Sequence, residues 1–313
     1  MRGQSTPGTT IVWRVGGERV LHLPAERPVL MAILNLTPDS FSDGGAIGSP
    51  AAAAETAERA VREGSGVLDI GGESTRPGAA RVSEAEQIAR VVPAILAIRR
   101  AVGPRVPITI DTTRWEVARA ALDAGADGVN DVSGGTEDGR MLAGCAERGA
   151  GIVLMHRLVP PEADQYSDRY ERAPEYADVV EDVRRFLESR LRAARDAGVR
   201  ADAIALDPGL GFGKTVEQNL ALIRGSRRLA ELGAPIVSGI SRKSFAAHAG
   251  GMGASTRPAE RLAASIALSV AHFATGARLW RVHDIESHAR ASRALDDEHL
   301  RTDRSPSGRE RSV

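Results

Sequence analysis

The stretch Ala203-Ile204-Ala205-Leu206-Asp207-Pro208-Gly209-Leu210-Gly211-Phe212-Gly213-Lys214-Thr215 changes character twice. Ala203–Leu206 is a short, continuous apolar run, as expected of a strand buried on both faces of a parallel sheet. It stops on a carboxylate, Asp207, and a glycine-rich loop follows. Helical periodicity then runs from Val216 to Leu232 and meets Gly233, a residue suited to closing a helix in the left-handed conformation. A second apolar run, Pro235–Ser238, begins at once. The order strand, polar loop, helix, glycine, strand is one unit of a parallel α/β fold.

Working outward, the same order repeats along the chain. Apolar runs lie at Val29–Leu34, Val67–Ile70, Pro107–Ile110, Gly128–Val129, Gly151–Met155, Ala203–Leu206, Pro235–Ser238 and Arg278–Val282. Helical segments are expected over Pro50–Glu63, Ser83–Ala101, Arg114–Ala124, Glu137–Arg148, Pro174–Ala197, Val216–Leu232 and Arg257–Thr275. Ser83 with Glu86 has the spacing of a capping box. Gly125, Gly149, Gly198 and Gly276 stand just past four of these helices. Eight strand units favour closure over an open sheet, so the expected fold is a single (β/α)8 TIM barrel.

Two ends fall outside the repeat. Ile11–Leu23 places Gly16-Gly17 between short apolar runs and reads as a β-hairpin able to plug the bottom of the barrel. Glu298–Val313 is charged and carries Ser and Pro, a composition that predicts disorder. The expected organisation is an N-terminal extension over 1–28, the barrel over 29–297 and a tail over 298–313. The chain has 313 residues, with 41 basic and 41 acidic, so no charge excess points to nucleic acid or a membrane surface. Its single cysteine, Cys145, excludes an intrachain disulfide and suits a reducing compartment. Neither a signal-peptide run nor a membrane-length apolar stretch is present, so a cytoplasmic protein is expected.

In a β/α barrel the chemistry gathers at the C-terminal ends of the strands. Here each strand ends in polar residues: Asn35; Asp69 with Glu73-Ser74-Thr75-Arg76-Pro77-Gly78; Asp111-Thr112; Asn130-Asp131; His156-Arg157; Asp207; Ser241-Arg242-Lys243; and Arg281 with His283-Asp284. Carboxylates placed inside apolar runs cost stability unless they are paired or used. Asp111, Asn130, Asp207 and Lys243 suit a flat, polar heterocycle, and Phe212 and Met155 suit stacking on a ring. Asn35, Thr75, Arg76, Arg281 and His283 suit an anion such as pyrophosphate, with Mg²⁺. Other chemistries lack their motifs. The Gly209–Thr215 run would need a glycine where Pro208 stands to be a P-loop, and HExxH, CxxC and GxSxG are absent.

Taken together, these motifs resemble the dihydropteroate synthase family. The resemblance is carried by Leu34–Gly45, Asp69–Gly78, Asp111-Thr112, Asn130–Gly135, Leu154–His156, Leu206–Thr215, Ser241–Phe245 and Arg281–Asp284, in family order. It implies condensation of 6-hydroxymethyl-7,8-dihydropterin pyrophosphate with 4-aminobenzoate, in folate synthesis. It implies a pterin pocket of Asp111, Asn130, Asp207 and Lys243 with Phe212 nearby, Asn35 as a Mg²⁺ ligand, and Arg281 and His283 at the pyrophosphate. Aminobenzoate would meet Thr75, Pro77, Phe212 and Ser241. Loops Thr37–Gly45 and Glu73–Gly78 would close over the centre, and the family usually forms a homodimer. Lys243, Arg281, His283 and Asp111 are the expected catalytic groups, and Arg76, Met155 and Arg242 complete the expected substrate contacts.

Two places depart from the family pattern. After His156 the chain reads Arg157-Leu158-Val159-Pro160-Pro161-Glu162-Ala163-Asp164-Gln165-Tyr166-Ser167-Asp168-Arg169-Tyr170, and Trp280 is bulky for its position. A non-catalytic pterin-binding paralogue and a corrinoid-linked pterin methyltransferase domain are the alternative readings. The second would not need the residues on the pyrophosphate side. Asp39 and Asp43 suit turns as well as function. His22, His248, His272 and His288 match no motif and are expected on the surface or in packing. Ala263–Ala274 is apolar nearly all round, as for either a dimer interface or packing on the barrel.

Overall fold

Eight parallel strands hydrogen-bond edge to edge until the last meets the first, so the sheet has no free edge. The computed structural model describes residues 11–36, 49–253 and 256–296. An antiparallel hairpin, β1 (Ile11–Gly16) and β2 (Arg19–Leu23), comes first. The barrel strands are β3 (Val29–Asn35), β4 (Ser65–Gly71), β5 (Ile108–Asp111), β6 (Gly128–Asp131), β7 (Gly151–Met155), β8 (Ile204–Asp207), β9 (Ile236–Ser238) and β10 (Ala277–Val282). Around them run α1 (Pro50–Glu63), α2 (Glu84–Val102), α3 (Trp115–Asp123), α4 (Met141–Arg148), α5 (Val179–Asp196), α6 (Val216–Ala230), α7 (Ser244–Ala249), α8 (Leu262–Ala274) and α9 (Ile285–Leu295). The expected barrel and hairpin are therefore present. The tail 298–313 and the Thr37–Gly45 loop lie outside the described residues.

Strand register decides which side chains share a level. Asn35 stands opposite Gly71, Gly71 opposite Asp111, and Asp111 opposite Asn130. Met155 stands opposite Asp207. One level lower, Asp69 stands opposite Thr109. Side chains alternate along a strand, so the Asp69/Gly71 and Thr109/Asp111 pairs face the barrel interior at successive levels.

The hairpin closes the opposite end, as expected. Trp13, Val15 and Leu23 are fully or almost fully buried and cluster with Met31, Val67, Val153, Ala205, Val237 and Leu279 from inside the barrel. Trp13 Nε1 donates to Ala203 O at 3.2 Å, and Gly17 N donates to Gly149 O at 3.0 Å. Arg19 and Arg99 flank the buried Asp127 at 2.6 and 2.7 Å.

Helix ends follow local chemistry. Gly64, Gly125, Gly149, Gly198, Gly233 and Gly276 all have positive φ, as the sequence predicts for the last five. Ser83 caps α2 by accepting from Glu86 N at 3.3 Å, and a full capping box forms at Thr215 and Gln218. Three expected helices differ in extent. α4 and α5 start later, at Met141 and Val179, and Arg257–Thr275 divides into a 3-10 turn, Pro258–Arg261, followed by α8. α7 and α9 were not anticipated from the sequence. Trp280 fits its position by packing edge-on against Phe273 and His288, at 6.3 and 6.0 Å between ring centroids.

α8 is inverted relative to an ordinary surface helix. It buries Ser265, Ser269 and His272, while Ala263, Ala267, Ala271 and Ala274 are exposed. His272 accounts for the inversion. It meets Ser238 Oγ through Nδ1 at 2.9 Å and Ser226 Oγ through Nε2 at 2.7 Å, so both ring nitrogens are satisfied beneath the helix.

Candidate active site at the C-terminal strand ends

The floor of the site is built from strand-end carboxylates sharing one cation. Arg281, on β10, donates from Nε to Asp69 Oδ2 at 2.6 Å and from Nη2 to Asp111 Oδ2 at 2.5 Å. Asp69 is fully buried and also accepts from Thr109 Oγ1 at 2.6 Å and Asn130 Nδ2 at 3.0 Å. Asp111 Oδ1 is buried with no hydrogen-bond partner among the described residues. Burial pushes the Asp111 carboxyl up to about 7 against the pull of Arg281, and the Asp69 charge adds to the rise. Asp131, next to Asn130, has a different task. It accepts from Ser133 N, Ser133 Oγ and Gly135 N at 2.7, 2.6 and 3.0 Å and so fixes the turn after β6.

The loop after β8 forms one wall. Asp207 Oδ1 accepts from Gly209 N at 2.7 Å, and burial raises its pKa. A Cβ on Gly209 would lie 1.7 Å from His156 O, so only glycine lets these two strand ends approach. Lys214 is fully buried behind the loop. Its Nζ meets His156 Nδ1, Gly209 O and Phe212 O at 3.0, 2.9 and 2.8 Å. Three acceptors match the three donors of an ammonium. Phe212 is thereby turned inward onto Met155 and Val132. Lys243 lies over the Phe212 ring, 4.3 Å from its centroid, and donates to Leu210 O. Burial lowers Lys243 to about 8, with Asp207 acting in the opposite direction.

The loop after β9 places three consecutive polar residues differently. Ser241 Oγ accepts from His283 N at 3.2 Å and lies 3.2 Å from His283 Nδ1. Burial and the neighbouring Arg242 and Arg281 charges push His283 down to about 3, so its imidazole is neutral at pH 7. Arg242 has φ 62°, unusual for a residue with a Cβ. Its guanidinium holds Asp284 with bonds of 3.0 and 2.6 Å, its N–H donates to Ser265, and its carbonyl accepts from Arg261 at 3.0 Å. These contacts over-determine the strained backbone.

Above the floor lies a cleft of about 330 Å³. It brings together Asn35, Thr75, Arg76, Pro77, Phe212, Ser241, Arg242, Lys243, Arg281 and His283, all expected from the sequence. Asp111, Asn130, Met155 and Asp207 do not line it directly. They sit beneath, joined to it through Arg281 and Lys243 and by Phe212 packing on Met155. The cleft also has lining residues that sequence reasoning did not assign: Ser244, Arg261, and Tyr166, Ser167 and Arg169 from the divergent segment after β7. Asp69 and Lys214 were visible inside motifs but carried no assigned role. A carboxylate in the middle of Val67–Ile70 was the available signal for Asp69. Asn35 presents its amide oxygen beside Gly71, where a Cβ would come within 3.2 Å of it. Among the described residues, no group of three or more His, Cys, Asp or Glu converges as a metal cage.

The divergent segment is tied to the site by hydrogen bonds. Buried Asp164 accepts from Gly213 N at 2.9 Å, from Gln165 N at 2.8 Å and from Tyr170 OH. Ser167 Oγ accepts from Asn219 Nδ2 at 3.1 Å, and Gly78 N donates to Pro161 O at 2.8 Å. Loops after β4, β7 and β8 are thus joined at their bases.

Comparison with known proteins gives a consistent picture. Residues 31–283 match the family described as pterin binding enzyme. A dihydropteroate synthase of Synechocystis sp. is 43% identical over 271 residues, covering 87% of this chain and 90% of that protein. One from Streptococcus pyogenes serotype M6 is 43% identical over 259 residues, covering 83% and 91%. The structure of Xanthomonas albilineans dihydropteroate synthase with 4-aminobenzoic acid superposes with a TM-score of 0.81 at 37% identity, covering 94% of this chain and 99% of that one. The Burkholderia cenocepacia enzyme complexed with 7,8-dihydropteroate gives 0.77 at 38% identity, covering 93% and 97%.

Proposed function

This chain belongs to the dihydropteroate synthase family, and on that premise we propose how its cleft divides the work of the reaction. The protein condenses 6-hydroxymethyl-7,8-dihydropterin pyrophosphate with 4-aminobenzoate, giving 7,8-dihydropteroate and pyrophosphate. The observation that carries the assignment of roles is Asp111 Oδ1, a buried acceptor in the floor with no partner among the described residues. A pterin ring edge supplies the N–H donors such an atom needs. Asp111, Asn130 and Asp207 would read that edge. Phe212 and Met155 would pack on the ring, and Lys243 would hold the open side.

Pyrophosphate belongs on the side of Asn35, Arg76, Arg281 and His283. Arg281 has five N–H donors, of which two serve Asp69 and Asp111, so donors remain for an oxyanion. His283, kept neutral, would donate a hydrogen bond rather than a charge. The donor set does not suit a metal caged by protein. It does suit Mg²⁺ arriving on the substrate, with the Asn35 amide oxygen as one ligand, since Mg²⁺ keeps water and phosphate ligands. Bound there, the ion would screen the charge gathering on the leaving oxygens.

As the bond between the pterin methylene carbon and the pyrophosphate oxygen breaks, negative charge grows toward Arg281 and positive charge on the methylene is shared by the ring. The arylamine nitrogen then attacks that carbon and, once bonded, releases one proton to give the neutral secondary amine of the product. Thr75, Pro77, Phe212 and Ser241 would orient the aminobenzoate ring for this step. An arylamine is neutral at pH 7, so no base need act before attack. The Glu73–Gly78 loop would help exclude water that competes for the cation.

We further propose a cytoplasmic enzyme, supported by the lone buried thiol Cys145, and a homodimer formed through the exposed apolar face of α8. No helix among the described residues is long and apolar enough to cross a membrane. Incubating the folded protein with the pterin pyrophosphate, 4-aminobenzoate and Mg²⁺ tests the central reading. Dihydropteroate and pyrophosphate are expected in equal amounts, and absence of both would overturn it.

A further inference from the structure

Phe212 stands between two glycines in the left-handed region. Gly211 has φ 82° and Gly213 has φ 62°. The ring between them lines the cleft and packs down on Met155 and Val132. Two bonds restrain its own backbone: Phe212 N donates to Gly209 O at 3.1 Å, and Phe212 O accepts from Lys214 Nζ at 2.8 Å. Both partners belong to the same loop. Glycine loses more conformational freedom on being fixed than any other residue, so the two flanking peptides need holds of their own.

Those holds come from the segment between β7 and α5. Gly213 is gripped through both of its polar backbone groups. Its N–H donates to Asp164 Oδ2 at 2.9 Å, and its carbonyl accepts from Tyr176 OH at 2.9 Å. Leu158 closes a further side, since a Cβ on Gly213 would lie 2.5 Å from Leu158 Cβ. On the other flank, Gly211 N donates to Asn219 Oδ1 at 2.7 Å, and Asn219 Nδ2 donates in turn to Ser167 Oγ at 3.1 Å.

The grips are themselves anchored. Asp164 is 7% exposed, and its second oxygen accepts from Gln165 N at 2.8 Å and from Tyr170 OH. Tyr176 lies beside His156, with 6.1 Å between ring centroids. Burial pushes its phenol above the ordinary value, so the hydroxyl stays protonated and able to donate. Just before it, Pro174 O accepts from Gln218 Nε2 at 2.8 Å, which pins this stretch to the first turn of α6.

We propose that Asp164 and Tyr176 are positioning residues for the reaction: by holding Gly213 from both sides they fix the Phe212 ring in the orientation that receives the pterin. This rests on the family reading above. Neither residue lines the cleft, so each acts through the side chain whose backbone it restrains. The ordering of the loop is then met in folding, and substrate binding does not bear it. Asp164 stands in the stretch that departs from the family pattern, so its role follows from this chain's own contacts.

The test is steady-state kinetics with the pterin pyrophosphate varied at saturating 4-aminobenzoate and Mg²⁺, read as a split between KM and kcat. Tyr176→Phe removes one hydroxyl and keeps the ring beside His156. Asp164→Asn keeps the size and removes the charge that meets Gly213 N. Each should raise KM for the pterin pyrophosphate by about fivefold, the scale of one buried hydrogen bond, and change kcat by less than about twofold, because ring packing serves ground state and transition state alike. A double-mutant cycle then asks whether Phe212 carries the effect. It is read by calorimetry with 7,8-dihydropteroate, so that it does not depend on turnover. In a Phe212→Leu background the same substitutions should leave the Kd level, since the ring through which they act is gone. An equal weakening with and without the Phe212 ring overturns the proposal. So does an unchanged KM in both single variants, or a fall in kcat at constant KM, the mark of a destabilised enzyme. Wild type failing to form dihydropteroate would instead refute the underlying reading.

Discussion

Arg281 holds one oxygen of Asp111 at 2.5 Å and leaves the other buried, without a partner among the described residues. The carboxylate is therefore oriented by one strand for something that the described residues do not supply. Asp111→Asn keeps the shape but replaces one acceptor oxygen with a donor. It should lower kcat/KM for the pterin substrate on the order of a hundredfold, with the far-ultraviolet spectrum unchanged. Unaltered turnover would remove Asp111 from the pterin pocket. The same residue has a signature in stability. Its folded pKa is raised to about 7, so the folded state holds the proton more tightly than the unfolded one. That contribution is complete at low pH and is lost as pH rises through about 7. Denaturant titrations of wild type and Asp111→Asn at pH 5 and 7.5 should show wild type losing more.

Lys243 is the cation on the open side of the site, lowered to about 8 by burial. Its protonated form should be the working one, because it lies against the Phe212 ring and close to Asp207. The rate should therefore fall as pH rises above about 8. Lys243→Ala should lose most of the activity without unfolding and should also lose this alkaline limb. A variant with near wild-type turnover, or one that retains the limb, would show that another group is responsible.

Lys214 has no route to substrate but holds the wall in place. Lys214→Met removes the donor from three buried acceptors at once, His156 Nδ1, Gly209 O and Phe212 O. Unpaired buried acceptors are costly, and about 3 kcal/mol of stability should be lost. Chemical denaturation measures this directly, and a midpoint within experimental scatter of wild type would contradict the clamp.

The sequence displays the strand ends because burial on both faces makes the runs between them continuous, so a carboxylate such as Asp207 or Asp111 stands out. Relations between strands are not displayed. Asp69 gains its role only when β5, β6 and β10 bring Thr109, Asn130 and Arg281 around it. Helix starts differ from the sequence expectation where side chains serve other elements. Glu137 pairs with Arg81 and Arg157, and Asp138 accepts from Trp115 N at 3.0 Å, so α4 cannot begin until Met141. The start of α5 has a local signal in the sequence, since Asp178 caps Val180 N and Glu181 N four residues after the expected start at Pro174. In the loop after β7 the family resemblance breaks off at His156 and resumes only at Leu206. The cleft residues Tyr166, Ser167 and Arg169 fall between the two and had no pattern to be read from.

His272 predicts an acid dependence away from the site. Burial alone pushes it down to about 3 from an ordinary value of 6.5, so the folded state resists the proton that the unfolded state accepts. Its contribution is present above 6.5 and lost as pH falls toward 3. Between pH 6.5 and 5 one such group accounts for about 2 kcal/mol. His272→Gln should be less stable at pH 7 but should lose that much less on acidification, by urea titration. Parallel losses in the two proteins would place the acid sensitivity on His156 or His283 instead.

The inverted face of α8 allows a clean test of the dimer. Ala267 is exposed on a helix whose polar residues are buried, between Ala263 and Ala271 on the same stripe. In a monomer, Ala267→Glu is a mild change, because both residues are good helix formers and the side chain would reach water. Between two copies it would place a carboxylate in an apolar contact, and by symmetry the patch meets itself, so two charges would be buried per dimer. Sedimentation velocity should therefore show wild type as a dimer and Ala267→Glu shifted to monomer, with thermal unfolding of the monomer otherwise ordinary. Wild type running as a monomer would refute the homodimer. A dimeric Ala267→Glu would move the contact to another face, leaving the exposed alanines of α8 without a partner.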